Sequence, residues 1–355
     1  MNAAIISMGS ISSERTVEEM KKVFDSVDHL NIVDLEVSML GTSEEILYGG
    51  KPLKQYDCIY AKGSGRFANL LRAVTTVLGP ECYTPIRPGA FTIGHDKLLA
   101  HLKFQVAKVP MPRTWVVSTA EAAKKILKKA PYPVVMKVPS GTHGKGVMLA
   151  ESYESASSMV DALALLRQPF LIQEYVETGG TDIRAFVLGD SVVAAMKRVA
   201  LPDEKRANLH AGGAGRRTEL DDRTEHIAVQ AAKAVGAEIC GVDILQGPKG
   251  PVVIEVNLSP GIQGISKATG INVGEKIAKF LFERTKETLA ERKGEAMKEL
   301  VSEAKQIITK LDFRNERILL PGIITKLTKF SEQEDVVMEA NKGQLKIKNF
   351  LEFAR

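Results

Sequence analysis

Short apolar blocks alternate with amphipathic stretches over the first hundred residues. "AAIISM" (3–8), "LNIVDLEV" (30–37) and "DCIYAKG" (57–63) read as strands. Residues 14–27 and 67–78 carry apolar positions at helical spacing, the second ending at Gly79, a residue favoured just past a helix C-terminus. Strand–helix–strand order predicts a small parallel α/β domain over about 1–95.

From Lys97 the pattern changes. "HDKLLAHLKFQVA" (95–107) predicts a helix, and "VPMPRTWVV" (109–117) a proline-punctuated connection into a strand. Ser118 and Glu121 stand at capping-box spacing before the next helix. "PVVMKV" (133–138), a glycine-rich loop and "GVMLAES" (146–152) follow, then a helix over 153–166 and the strand "PFLIQEYV" (169–176). "DIRAFVLGDSVVAAMKRVA" (182–200) predicts a long hairpin turning at Gly189-Asp190. A polar stretch, 201–220, leads to a helix at 222–235 and strands at 238–246 and 251–257. Hairpins with helices on one side predict an α+β domain. Beyond about Lys286, a helix rich in Glu, Lys and Ala (287–310) and short strands from "RILLPGIITKLTKF" (317–330) to "GQLKIKNFLEF" (343–353) are expected.

The total of 355 residues is too long for one ordinary core and suggests two or three domains. With 44% hydrophobic and 26% charged residues, the composition is that of a soluble globular protein. A net charge of +5 favours anionic ligands but is too small to argue for nucleic acid. Cys58, Cys82 and Cys240 are scattered, which suits core filling in a reducing cytosol. No signal-peptide pattern and no apolar run of roughly 20 residues is present, so a cytoplasmic protein without membrane spans is expected.

The chemistry lies in the last two strands. Suppose their loop is Pro248-Lys249-Gly250, so that Gly247 pairs with Pro251; Asp243 then stands opposite Glu255, with Asn257 further along the same face. Two carboxylates in a mostly apolar sheet need a cation between them, and the all-oxygen set Asp243, Glu255, Asn257 suits Mg²⁺ or Mn²⁺. Incidental acidic residues on a solvent edge are the weaker reading, because Val253, Ile254 and Val256 leave little room for an exposed strand. A metal held by few protein ligands commonly completes its shell with phosphates.

Phosphate-binding parts are therefore expected elsewhere. Lys137 precedes Ser140-Gly141-Thr142-His143-Gly144-Lys145-Gly146, a loop whose amides could close over an anion or simply turn a hairpin. It lacks the Ser/Thr and helix of a Walker loop. "KGSGRFANLL" (62–71) fits a plain strand-to-helix connection better than a phosphate turn. The Gln173–Val176 backbone could read an adenine edge, with Glu174 on a ribose, or could be a core strand. "EKRANLHAGGAGRR" (204–217) puts Arg206, Asn208, Arg216 and Arg217 in a polar loop long enough to be functional. His143 and His210 are better read as polar loop residues. No Ser-His or Cys-His nucleophile arrangement is evident.

"MKVPSGTHGKGV", "IQEYV", "TDIRAFVLGD", "KRANLHAGG", "GVDIL" and "IEVNLSPG" occur in the order and spacing of ATP-grasp ligases. The chain most resembles the RimK-like, glutamate-ligase branch over about 1–285. That resemblance implies an ATP-grasp fold, of mixed α/β and α+β class. It would comprise a pre-ATP-grasp α/β domain (1–95), a central subdomain (about 96–175), a C-terminal grasp subdomain (about 176–285) and a helix-plus-strand extension (286–355). It implies ATP and two Mg²⁺ or Mn²⁺ held by Asp243, Glu255 and Asn257. Lys97 and Lys137 would contact phosphates, with Gly141 and Gly144 over them. Glu174, Tyr175 and Asp182 would contact the adenosine. Arg206 and Asn208 would act on phosphates or substrate. The implied reaction activates a carboxylate as an acyl phosphate and joins it to an amino acid, glutamate being expected, with a protein C-terminus, peptide or coenzyme as acceptor. A homo-oligomer is expected. Competing readings are a ligase for glutathione-type peptides or an amino-carrier protein, a nucleotide-binding regulator without turnover, and an RNA- or protein-binding module built on the tail.

Overall fold

The computed structural model describes residues 1–79, 81–139, 146–199, 214–302, 312–315, 317–328, 330 and 335–349. It divides into two compact units, Met1–Thr288 and Leu289–Arg355.

The first unit opens with β1 (Asn2–Ser7), α1 (Ile11–Met20), β2 (Ser26–Asn31), β3 (Leu35–Met39), β4 (Glu44–Tyr48), β5 (Lys51–Pro52) and β6 (Cys58–Ala61). β1 pairs in parallel with β2 on one side and β6 on the other, and Ala3–Ile6 are fully buried. The expected parallel sheet is present, but two of its neighbours differ from expectation. The Ser10 side chain accepts from Ser13 N–H and starts α1 at Ile11, so the helix ends at Met20 and residues 26–31 join the sheet. "LNIVDLEV" is not one strand: Asn31 caps a 3₁₀ turn over Ile32–Asp34, and β3 then leaves for a small β3-β4-β5 sheet.

Next come α2 (Ala68–Leu78), α3 (Pro88–Gly94), α4 (Lys97–Val106), β7 (Thr114–Val116), α5 (Ala120–Leu127), β8 (Val134–Lys137), β9 (Val147–Ala150), α6 (Tyr153–Leu165) and β10 (Leu171–Glu174). α3 was not anticipated; Pro88 occupies its first turn, where a missing N–H is harmless. Asp96 caps α4 by accepting from Leu98 and Leu99 N–H. The cap of α5 is Thr119, which accepts from Ala122 N–H, and not Ser118. β7-β10-β8-β9 form an antiparallel sheet, and α5 and α6 bury Ala123, Leu127 and Val160 with Val134, Met136 and Ile172.

The chain continues through β11 (Thr181–Leu188), β12 (Ser191–Val199), β13 (Ala214–Arg217), α7 (Asp222–Val235), β14 (Ile239–Gly247), β15 (Gly250–Asn257), α8 (Gln263–Thr269) and α9 (Val273–Ser302). Five antiparallel strands run in the order β13-β12-β11-β14-β15. α7 packs on them and ends at Gly236, whose φ of +89° is a conformation that favours glycine. Ile227, Ala228 and Val235 of α7 join Phe186, Val242 and Ile277 in the same core as β1 and β6.

The second unit holds β16 (Asp312–Arg314) paired with β17 (Arg317–Leu319), α10 (Gly322–Thr328), and β18 (Val336–Asn341) paired with β19 (Gln344–Asn349). Where "RILLPGIITKLTKF" suggested strands throughout, residues 322–328 are helical; Ile324 and Thr325 N–H close the first turn on the Pro321 carbonyl.

Candidate active site

The β14–β15 hairpin reaches the expected pairing by a different route. Its loop has two residues, Pro248-Lys249, because Gly247 pairs with Gly250, which adopts φ +107°. In unbroken register that loop would set Asp243 opposite Ile254. A bulge between Asp243 and Ile244 takes up one residue, and Asp243 faces Glu255 after all. Bulges of this kind re-aim side chains next to active sites.

The face so formed carries a dense charge cluster. Arg184, across β11–β14 from Asp243, donates Nε to its Oδ1 at 2.5 Å and Nη2 to its Oδ2 at 2.6 Å. Arg198 of β12 forks onto both oxygens of Asp182 at 2.6 Å and reaches Asp243 Oδ2 at 3.0 Å. Asn257 Nδ2 donates to Asp243 Oδ2 at 3.3 Å. Burial works to raise the Asp243 pKa, but the two guanidiniums outweigh it and the pKa lies below its ordinary value. Burial pushes Asp182 up to about 6 despite Arg198, with the Asp243 charge adding to the rise. Arg184 and Arg198 were not singled out from sequence. The signal was available: Asp182, Arg184 and Arg198 lie on one face of an otherwise apolar hairpin, at period-two spacing.

Glu255 is half-buried, with no hydrogen bond or ion pair among the described residues. Burial raises its pKa, Asp243 raises it further, and Lys97, Arg184 and Lys137 oppose the rise. Lys137, at the end of β8, is buried and held down to about 8 by desolvation, with Glu255 pulling it up and Lys97 down. Lys97 is fixed nearby at the start of α4, where its N–H reaches the Pro139 carbonyl at 3.3 Å. The expected phosphate lysines and metal carboxylates are therefore brought together.

A hard divalent cation fits this donor set of two carboxylates and one amide oxygen. Among the described residues no group of three or more His, Cys, Asp or Glu is arranged as a metal centre, so the amide of Asn257 is needed as the third donor. Asp243 Oδ2 already accepts from Arg184, Arg198 and Asn257, whereas Oδ1 accepts from Arg184 alone and keeps a lone pair for a cation.

α4 is tied to β10 through His101. Its Nδ1 donates to the Lys97 carbonyl at 2.6 Å, which leaves Nε2 to accept from Gln173 Nε2 at 2.9 Å; the same amide nitrogen donates to Thr114 Oγ1 at 2.9 Å. Burial holds His101 down to about 4, so the ring is neutral near pH 7. Glu174, at the end of β10, pairs with Lys249 of the hairpin loop at 3.4 Å, and Tyr175 follows it, half-buried. Gly247 lets the hairpin approach this strand end: a Cβ there would lie 2.6 Å from Val176 Cγ1. Asp182, expected at the adenosine, stands beside Arg198. Both its oxygens engage Arg198, so in this geometry it braces that guanidinium.

Gly141, Gly144, Arg206 and Asn208, with His143 and His210, lie outside the described residues. No described helix is long and apolar enough to cross a membrane.

The layout defines an ATP-grasp protein: two antiparallel sheets that bring paired lysines to an acidic strand face. Residues 94–281 match the model of the RimK-like ATP-grasp domain. A Shewanella loihica protein named "probable alpha-L-glutamate ligase" is 36% identical over 293 residues, 81% of this chain and 97% of that one. A Cellvibrio japonicus protein of the same name is 33% identical over 83% of this chain and 99% of its own. Among solved structures, a RimK-domain ATP-grasp protein from Sphaerobacter thermophilus superposes with a TM-score of 0.60 at 18% identity, covering 79% of this chain and 99% of its own. The ATP-grasp ligase PsnB, solved with a phosphomimetic variant of its minimal precursor, Mg and ADP, gives 0.64 at 18% identity over 80% and 98%. The chain belongs to the RimK-like ATP-grasp family, and it is an ATP-dependent ligase that joins a carboxylate to an amine.

Proposed function

We propose that the amine partner is L-glutamate and that the reaction runs on two divalent cations, Mg²⁺ or Mn²⁺, held by Asp243, Glu255 and Asn257. The observation that carries this is the opposition of Asp243 and Glu255 beside Asn257, with Lys97 and Lys137 on the same side. The names of the relatives support glutamate.

A substrate carboxylate oxygen attacks the γ-phosphorus of ATP, and ADP leaves. The glutamate amine adds to the acyl phosphate and loses a proton; the C–O bond breaks, phosphate departs and an amide remains. When bound, the cations would neutralise charge on the transferring oxygens. Lys137 and Lys97 are the phosphate contacts. Lys137 is pre-placed in a dry environment, where its charge acts strongly on an anion. Glu174 and Tyr175 are the adenosine contacts at the end of β10. Arg206 and Asn208 are assigned to the phosphates or the acid being activated. The acceptor carboxylate belongs to a protein C-terminus, a peptide or a coenzyme.

ADP release should require acid and amine together. Mass spectrometry of cell extract incubated with the enzyme, ATP and isotope-labelled L-glutamate should show one class of molecule gaining the label through an amide. Release of ADP without label incorporation would reject glutamate as the amine.

A further inference from the structure

Among the described residues, a second set of charged and polar groups lacks partners on the segment tied to the exit of β15. Lys62 follows β6 at the C-terminal edge of the parallel sheet and is only 4% exposed. Among the described residues no carboxylate and no hydrogen-bond acceptor meets its ammonium; the Tyr60 ring lies 5.5 Å from Nζ. A ring face offsets part of the desolvation, yet burial alone still holds the amine down to about 8. Buried charges are ordinarily paired, so an unpaired one needs an explanation.

The position supplies it. Gly63, the next residue, is clamped to Ser259: its N–H donates to Oγ at 2.9 Å, and Oγ donates back to its carbonyl at 3.0 Å. Ser259 lies two residues past Asn257, so the strand end carrying Lys62 is fastened to the exit of β15. His95 also holds the Gly63 carbonyl, and its Nε2 is buried with no partner among the described residues. With Nδ1 donating to that carbonyl, Nε2 is an acceptor. Gly63 itself is packed in place, since a Cβ would lie 2.7 Å from Leu71 Cδ1. Among the described residues, one glycine is thus flanked by an unmatched cation and an unmatched acceptor, on a segment fastened two residues past Asn257. A molecule carrying a carboxylate and an N–H is complementary to that pair.

We propose that Lys62 is a specificity residue that pairs with a non-reacting carboxylate of a substrate, in a subsite completed by the His95 Nε2 acceptor. This rests on the ligase reading above and deepens it. Glutamate offers such a carboxylate either as the incoming amine or as the terminal residue of the acid substrate.

The two sources are separated by titration calorimetry on the full chain loaded with a non-hydrolysable ATP analogue and Mg²⁺. The probes are L-glutamate and a dipeptide ending in glutamate. Lys62→Met keeps the aliphatic stem and removes the charge; Lys62→Arg restores it. For one probe, Kd should rise at least about tenfold in Lys62→Met and return to within about threefold of wild type in Lys62→Arg. The analogue's own Kd should stay within about twofold. The melting temperature of Lys62→Met should be equal to or above wild type, because an uncompensated buried charge is removed. The probe that weakens identifies which substrate Lys62 holds. Unchanged binding of both probes in Lys62→Met overturns the subsite and leaves the ligase reading standing. Failure of both to bind wild type rejects glutamate in both roles, and the subsite with it.

Discussion

The β11–β14 face and the edge of the parallel sheet treat buried charge in opposite ways. On the first, Asp182, Asp243, Arg184 and Arg198 satisfy one another through five close contacts of 2.5–3.0 Å. On the second, Lys62 and His95 Nε2 are buried with nothing to satisfy them among the described residues. In the arginine-bound cluster most acceptor positions are already taken, so a proposed cation there shares Asp243 with the guanidiniums. An unsaturated pair gives up no internal contact to a complementary ligand that reaches it. Glu255 sits between the two cases, half-buried and, among the described residues, without an ion pair on the arginine-bound face.

That contrast can be broken from the saturated side. Glu255→Gln keeps the shape but removes a charge on which the proposed cation site depends. Turnover should fall by at least about 10³-fold, with the unfolding midpoint unchanged. Full ADP release at ordinary Mg²⁺ would show that Glu255 is not a ligand.

Arg198→Met tests whether the cluster is held by mutual pairing. It removes the fork on Asp182 and one contact on Asp243, and should cost about 3 kcal/mol in denaturant unfolding at pH 7. Asp182, already raised to about 6, limits the loss by taking up a proton. Lys62→Met should move stability the other way, so equal losses in both variants would erase the distinction between the two regions.

His101 gives the smallest effect. It is buried yet satisfied, because the neutral ring matches one donor and one acceptor. Its folded pKa of about 4 lies below the unfolded value near 6.5, so its contribution is complete above pH 6.5 and is lost as pH falls towards 4. Comparing pH 7 with pH 5, this ring should account for about 2 kcal/mol of the acid loss in wild type. His101→Gln, which cannot take a proton, should flatten the stability profile over that window. An unchanged profile would place the acid sensitivity elsewhere.

Much of the site was readable in the chain because alternation in strands is strict. Glu255 and Asn257 interrupt an apolar run two residues apart, and no packing requirement explains polar groups there. Helix α7 was legible to the residue, Asp222–Val235, because Asp221 caps it and Gly236 ends it. The split of residues 30–37 between two sheets was not legible. Asn31 caps a turn there, and the apolar residues on either side fit one strand equally well. The arginine pairing escaped notice because Arg184 and Arg198 are separated from Asp243 by long intervals of sequence.

By itself the sequence determined that Glu255 and Asn257 share a face, because strand alternation is local. That Asp243 stands opposite Glu255 was expected from a loop the structure does not have, and it holds only through the bulge. The tertiary structure decided three further matters: the two-residue loop with its compensating bulge, the guanidiniums that occupy Asp243, and the isolation of Lys62. Register depends on how a whole sheet packs, and whether a buried charge finds a partner depends on side chains brought in from distant elements. Neither is written in any local stretch of the chain.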